Sequence, residues 1–167
     1  NGYAITAVVG KKSVMEAAQN TFISSTFWTE RIGPTAALAT LKVMEREKSW
    51  DKITATGKKM QKVWLKLAEA NNLDITVSGI PALTTYTFNN DNAAAYKTLI
   101  TQEMLKKGIL ASTQFYACTK HTTEHLDLYS DVLGDIYKRI SKCESEVLDI
   151  NALLDGPICH SGFKRLN

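Results

Sequence analysis

From residue 34 to about 48, apolar side chains return every three or four positions, at Ala37, Leu38, Leu41 and Met44. That spacing predicts a helix with one apolar face. Trp50-Asp51 reads as a break, and a second helix with the stripe Ile53, Met60, Val63/Trp64 and Leu67 runs to Asn71-Asn72, a plausible stop. The texture then turns β-branched and aromatic. Residues 75–77 and 83–88 predict two strands, with Gly79-Ile80-Pro81 as a break between them. A turn at Asn89-Asn90-Asp91 leads into a helix over 92–107, ended by Gly108. Residues 109–116 predict a third strand. A helix over 122–142 carries Leu126, Tyr129, Val132/Leu133, Ile136/Tyr137 and Ile140 on one face, and a shorter helix is expected over 144–154. Near the start, residues 4–9 are apolar and bounded by glycines, which predicts a buried strand; residues 11–18 predict a short helix.

This order, strand–strand–helix–strand–helix behind a long helical entry, points to the α/β class in its α+β form. A small antiparallel sheet would carry helices on one face. A chain of 167 residues fits one domain, or a small domain with a tail from a neighbour. With 44% hydrophobic and 22% charged residues it can bury an ordinary core, so disorder is excluded. The net charge of +3 is mild and its cations are scattered, which speaks against a nucleic-acid binder. No apolar run reaches the length of a membrane span, and no signal peptide is visible. Cys118, Cys143 and Cys159 form neither a disulfide framework nor a zinc pattern, so reduced thiols in a cytoplasmic protein are the simplest reading. The absence of an initiator Met supports reading the chain as a fragment.

Candidate chemistry concentrates in Thr21-Phe22-Ile23-Ser24-Ser25-Thr26-Phe27-Trp28-Thr29-Glu30-Arg31-Ile32-Gly33-Pro34. Hydroxyls crowd its first half, and Pro34 opens the long helix, where a missing N–H costs nothing. Hydroxyl donors ahead of a helix N-terminus suit an anion; they equally suit a plain capping loop. Arg31 has the fork that a carboxylate fits, or it makes a surface ion pair with Glu30 or Glu45. His121-Thr122-Thr123-Glu124-His125 matches the inverted zinc-protease pattern, but no third ligand is evident, and Thr122 with Glu124 reads well as a helix start. No metal is expected. His160-Ser161-Gly162-Phe163-Lys164-Arg165 has residue types for anion binding, though a solvated tail is the default.

The segment NGYAITAVVG followed by SSTFWTERIGPTAALATL, together with the ending HSGFKRL, strongly resembles class III pyridoxal-phosphate (PLP) aminotransferases, nearest the glutamate-1-semialdehyde aminomutase-like members. The resemblance implies the C-terminal part of a fold-type I PLP transferase. Residues 1–33 would be a remnant of the large PLP-binding domain with its phosphate-contact loop, and 34–167 the long interdomain helix and small C-terminal domain. It further implies that Thr26, and more weakly Ser25, contact the cofactor phosphate of the neighbouring subunit in a homodimer. The Schiff-base lysine of the family would lie before Asn1, so no catalytic residue is expected here and the chain alone should be inactive. Lys11 and Lys12 do not look buried enough to replace it. FWTERIG departs from the glycine–asparagine–proline run common in the family, which puts substrate contacts there in doubt. The complete enzyme would move an amino group between an amino donor and a carbonyl substrate. The rival expectation is a non-catalytic binding or dimerisation module built from the small domain.

Overall fold

The structure, a computed structural model, describes residues 2–23 and 26–160. The chain forms two compact units, Asn1–Ser49 and Trp50–Asn167.

The first unit holds a short helix α1 (Lys12–Met15), which runs on into a 3-10 turn over Glu16–Asn20, and the long α2 (Ile32–Glu47). Helix α2 ends where Lys48 turns left-handed at φ 46°. Residues 4–9, expected as a buried strand, are not one. They pair with no strand among the described residues, and Val8 and Val9 are exposed. An apolar run becomes a strand only where a neighbouring backbone accepts its hydrogen bonds.

The second unit holds the sheet and the core. Its elements are α3 (Ser49–Ala70), β1 (Ile75–Ile80), β2 (Leu83–Phe88), α4 (Ala93–Lys106), β3 (Gln114–Tyr116) and α5 (Thr123–Glu144). The strands form one antiparallel sheet in the order β1-β2-β3, with Val77 opposite Tyr86 and Thr84 opposite Phe115. Strand β1 runs through Gly79-Ile80, so the predicted break falls at Pro81-Ala82 instead. Along β2, Thr84, Tyr86 and Phe88 are buried while Leu83 and Thr87 are exposed. One face of the sheet is therefore covered by helices, as the period-two pattern requires.

Large rings fill that covered face. Trp64 of α3 lies 4.6 Å from Tyr86 of β2, and Phe88 meets Tyr96 of α4 at 5.2 Å and Tyr137 of α5 at 5.8 Å, both edge-on. Met60, Leu99, Ile100, Met104, Leu133 and Ile140 close the gaps, all fully buried. Trp64 Nε1 donates to the Tyr129 hydroxyl at 3.0 Å, which ties α3 to α5 inside the core. Two expectations fall short here. Residues 109–113 stay outside the ladder, leaving β3 with three residues, and residues 144–154 supply only a 3-10 turn over Asn151–Leu153. Glu146 at φ 58° breaks the helical path there.

Two features make testable demands. A Cβ built on Gly57 of α3 would fall 1.7 Å from the Pro81 carbonyl oxygen. Gly→Ala inside a helix ordinarily gains about 1 kcal/mol. Gly57→Ala should reverse that sign and cost roughly 1–3 kcal/mol, because the β1–β2 turn must move; urea unfolding gives the answer. The second feature is Glu103 of α4, which receives Arg139 at 2.7 Å and Lys106 at 2.9 Å, while Lys106 also reaches Asp155 at 2.7 Å. Burial alone would raise the Glu103 carboxyl, but hydrogen bonds from Gln102, Lys106 and Arg139 outweigh it and bring it down to about 2 from the ordinary 4.5. The folded value lies below the unfolded one, so this contribution is full above the ordinary value and disappears as pH falls through about 2. The stability gap between the wild type and Glu103→Gln should therefore narrow steadily over that interval; a constant gap would show that the carboxylate charge plays no part.

Candidate functional site

The hydroxyl-rich loop is organised from its far end. Residues 26–29 form a turn, closed by the Glu30 amide donating to the Phe27 carbonyl at 2.9 Å. Glu30 then sends its carboxylate forward. One oxygen accepts from the Ile32 amide at 2.5 Å, and the other from the Gly33 amide at 3.1 Å. Pro34 has no N–H, and the Thr35 amide already donates to the Arg31 carbonyl at 3.0 Å. The N-terminus of α2 is thus fully satisfied by the chain itself. The sequence suggested a helix end open to an external anion; the structure fills that end with Glu30. Any phosphate at this loop would have to be met by hydroxyls and backbone of the loop itself, not by the helix end.

Thr26 lies on the wall of a concavity of about 730 Å3 within the first unit. Ala4, Ile5, Met15, Phe27 and Trp28 also line it. Gly33 is buried here because its backbone presses on the segment opposite: a Cβ would stand 3.2 Å from the Ala4 carbonyl oxygen. No lysine or arginine contributes to the described wall, and Lys11 and Lys12 are exposed and outside it. Arg31 caps nothing with its side chain and is exposed. Ser25, the second candidate cofactor contact, and the tail beyond His160 lie outside the described residues.

The His121–His125 motif sits in the second unit and has a different job from the one its spelling suggests. The Thr122 hydroxyl accepts from the His125 amide at 3.4 Å, and His125 Nδ1 accepts from the Thr122 amide at 3.2 Å. This reciprocal pair is a capping box with histidine where glutamate is usual. His121 Nδ1 likewise accepts from the Cys118 amide at 3.1 Å, and its ring stacks on Phe115 at 4.7 Å. Burial, and then the nearby His125, push the His121 pKa down, which keeps that ring neutral at pH 7. A metal-bound histidine donates its second nitrogen to an acceptor. Here both second nitrogens face N–H donors, so the neutral protons sit on Nε2 and no lone pair points outward. Among the described residues no group of three His, Cys, Asp or Glu is placed to hold a metal. No described helix is long and apolar enough to cross a membrane.

With this geometry in view, the comparisons with known proteins are informative. No family model matches the chain. It is 30% identical over 148 residues to a 3-aminobutyryl-CoA aminotransferase of Cloacimonas acidaminovorans, covering 85% of this chain and 36% of that protein. It is 28% identical to a 2'-deamino-2'-hydroxyneamine transaminase of Streptomyces kanamyceticus, covering 81% and 36%. It is 30% identical to a glutamate-1-semialdehyde 2,1-aminomutase of Clostridium botulinum, covering 75% and 34%. In fold it matches the FumI protein of a Sphingopyxis species, solved in a PLP internal aldimine form, with a TM-score of 0.70 at 15% identity over 87% of this chain and 36% of that one. The chain is therefore related to aminotransferases and an aminomutase, and spans about a third of their length.

The Glu30 cap is open to direct test. Replacing a capping acceptor by alanine costs about 1 kcal/mol. Glu30→Ala should speed hydrogen exchange at the Ile32 and Gly33 amides roughly fivefold, and Glu30→Gln, which keeps one acceptor oxygen, should lose less. Unchanged exchange in Glu30→Ala would mean that the carboxylate does not hold the helix end.

Proposed function

We propose that this chain, similar over most of its length to aminotransferases and an aminomutase, is the C-terminal part of a class III PLP-dependent aminotransferase or aminomutase. The observation that carries the reading is the 30% identity to an aminotransferase across 85% of the chain, joined to a shared fold. In this reading residues 1–33 belong to the large domain, and 34–167 supply the interdomain helix and small domain. The intact protein works as a homodimer in the cytoplasm, on a small amino donor and a carbonyl substrate.

What the described residues can offer the cofactor is limited and specific. Thr26 brings a neutral hydroxyl to the concavity, and a phosphate dianion accepts a strong, charge-assisted hydrogen bond from such a donor. Ser25 is proposed beside it. Glu30 fixes the far side of the same turn, so the loop is shaped before any ligand arrives. Among the described residues the wall carries no cation and no lysine to anchor PLP, and in this reading both are supplied from outside it. When bound, PLP supplies the electron sink for amino-group transfer. The apolar side chains Phe22, Ile23, Trp28, Ile32, Leu38 and Leu41, all exposed on the first unit, are consistent with a surface that packs against further protein.

The test uses the intact protein. Thr26→Ala should raise the PLP dissociation constant about tenfold, the equivalent of one charge-assisted hydrogen bond. Unchanged PLP retention would remove Thr26 from the phosphate site. The 167-residue chain by itself should show no transamination. Turnover at the rate of an intact enzyme would place the anchoring lysine within these residues and overturn the fragment reading. An intact protein that folds and dimerises but takes up no PLP would favour the non-catalytic module.

A further inference from the structure

The His121–His125 motif closes the start of α5, and it also borders a cavity. A hollow of about 440 Å3 opens in the second unit between the segment Gly108–Ala111, strand β3 and the first two turns of α5. That volume lies within the range of small-molecule sites. Its walls are mainly apolar and aromatic, with Ile109, Phe115, Leu126 and Leu128 among them, and Gln114 and Tyr116 add uncharged polar groups at β3. Among the described residues no Lys, Arg, Asp or Glu lines it. Both His121 and His125 do.

The chemistry of the two rings narrows what the cavity can take. Each Nδ1 is committed as an acceptor to a backbone amide, from Cys118 and Thr122 respectively. With Nδ1 accepting, each ring carries its hydrogen on Nε2 and presents a donor there, not an acceptor. A cation finds no acceptor on either ring and no carboxylate. A carboxylate or phosphate finds donors but no compensating charge, and would lose its hydration in an apolar hollow. An uncharged molecule with a flat apolar body and one carbonyl oxygen meets both demands. Its body packs on the Phe115–His121 stack and the α5 leucines, and its oxygen accepts from an imidazole.

We propose that this cavity is a binding site for a neutral, planar, carbonyl-bearing small molecule, held by His121 and His125 acting as Nε2–H donors. The site is lined wholly by residues of the second unit and does not depend on the PLP reading.

The experiment follows the imidazole resonances of the 167-residue chain by NMR. Two-bond 1H–15N spectra should report Nδ1 unprotonated and Nε2 protonated in both rings. Acetanilide, an uncharged aryl amide, should shift both histidines and Leu128 saturably. Benzoate, of similar size but charged, and toluene, which has no acceptor, should each bind at least about fivefold more weakly, the worth of one hydrogen bond. Leu128→Trp fills the cavity from an exposed position without touching the cap; it should abolish the acetanilide shifts at unchanged melting temperature. Three results would overturn the proposal: acetanilide shifts that stay linear to its solubility limit, benzoate or toluene binding as tightly as acetanilide, or the Nδ1–H tautomer in both rings. Saturable Zn2+ binding at both rings would overturn it as well, in favour of a metal site.

Discussion

The packing of Trp64 against Tyr86 is the contact on which the second unit depends. It joins α3 to the central strand, and the hydrogen bond from the indole to Tyr129 carries the connection on to α5. Tyr86 also meets Phe88 and Tyr137 edge-on, and Phe88 meets Tyr96, so three helices converge on one strand. A three-stranded sheet is thin, and large rings are the efficient way to give it a core. The choice has a cost. The Tyr86 and Tyr137 hydroxyls are buried side by side without a well-aligned acceptor, each roughly a 1–3 kcal/mol penalty. Burial is the main cause that pushes both phenols up from their usual range. The rings stabilise the core through area and shape, and the hydroxyls are tolerated within it.

The first unit follows opposite physics. Its polar groups are well provided for: Glu30 closes the start of α2, and a left-handed Lys48 closes its end. Its apolar groups are not, since large side chains from Ile5 to Met44 stand in solvent. A segment whose long helix is closed at both ends and whose apolar surface is exposed has local structure without a core of its own. The second unit has both, and a compact aromatic centre besides.

What could be read from sequence divides along the same line. Helices α3 to α5 and strands β1 and β2 were legible because their apolar residues repeat at the period of the element and face one core, and α2 was legible from its period alone. Residues 4–9 were misread because an apolar run does not say whether a pairing strand exists. Residues 109–113 were misread for a related reason: β-branched and apolar character does not fix where a ladder ends. Residues 144–154 failed because Glu146 adopts a left-handed conformation that composition does not announce. At the candidate site, Thr26 is proposed from resemblance, and Glu30 was considered only as a partner for Arg31. An acid two or three residues ahead of a helical glycine was the signal that could have shown its capping role.

The two motifs that most resembled ligand sites turn out to share one device. Glu30 and the histidines of the HTTEH motif each direct a side-chain acceptor at backbone amides that would otherwise be orphaned. Residue types suited to binding anions or metals are also the types suited to ending helices, because both tasks need a lone pair or a charge in a small space. What separates the two is the direction in which the remaining atoms of the group face. Glu30 spends both oxygens on the helix and keeps little for a ligand. Each histidine spends one nitrogen and keeps the other. An imidazole whose Nδ1 accepts from the backbone, as His125 does in its cap and His121 in the loop before it, is a donor of fixed tautomer, and a cavity beside two of them is selective for neutral acceptors before any ligand is present. Capping and recognition are then one arrangement, with the cap setting the chemistry that the cavity can accept.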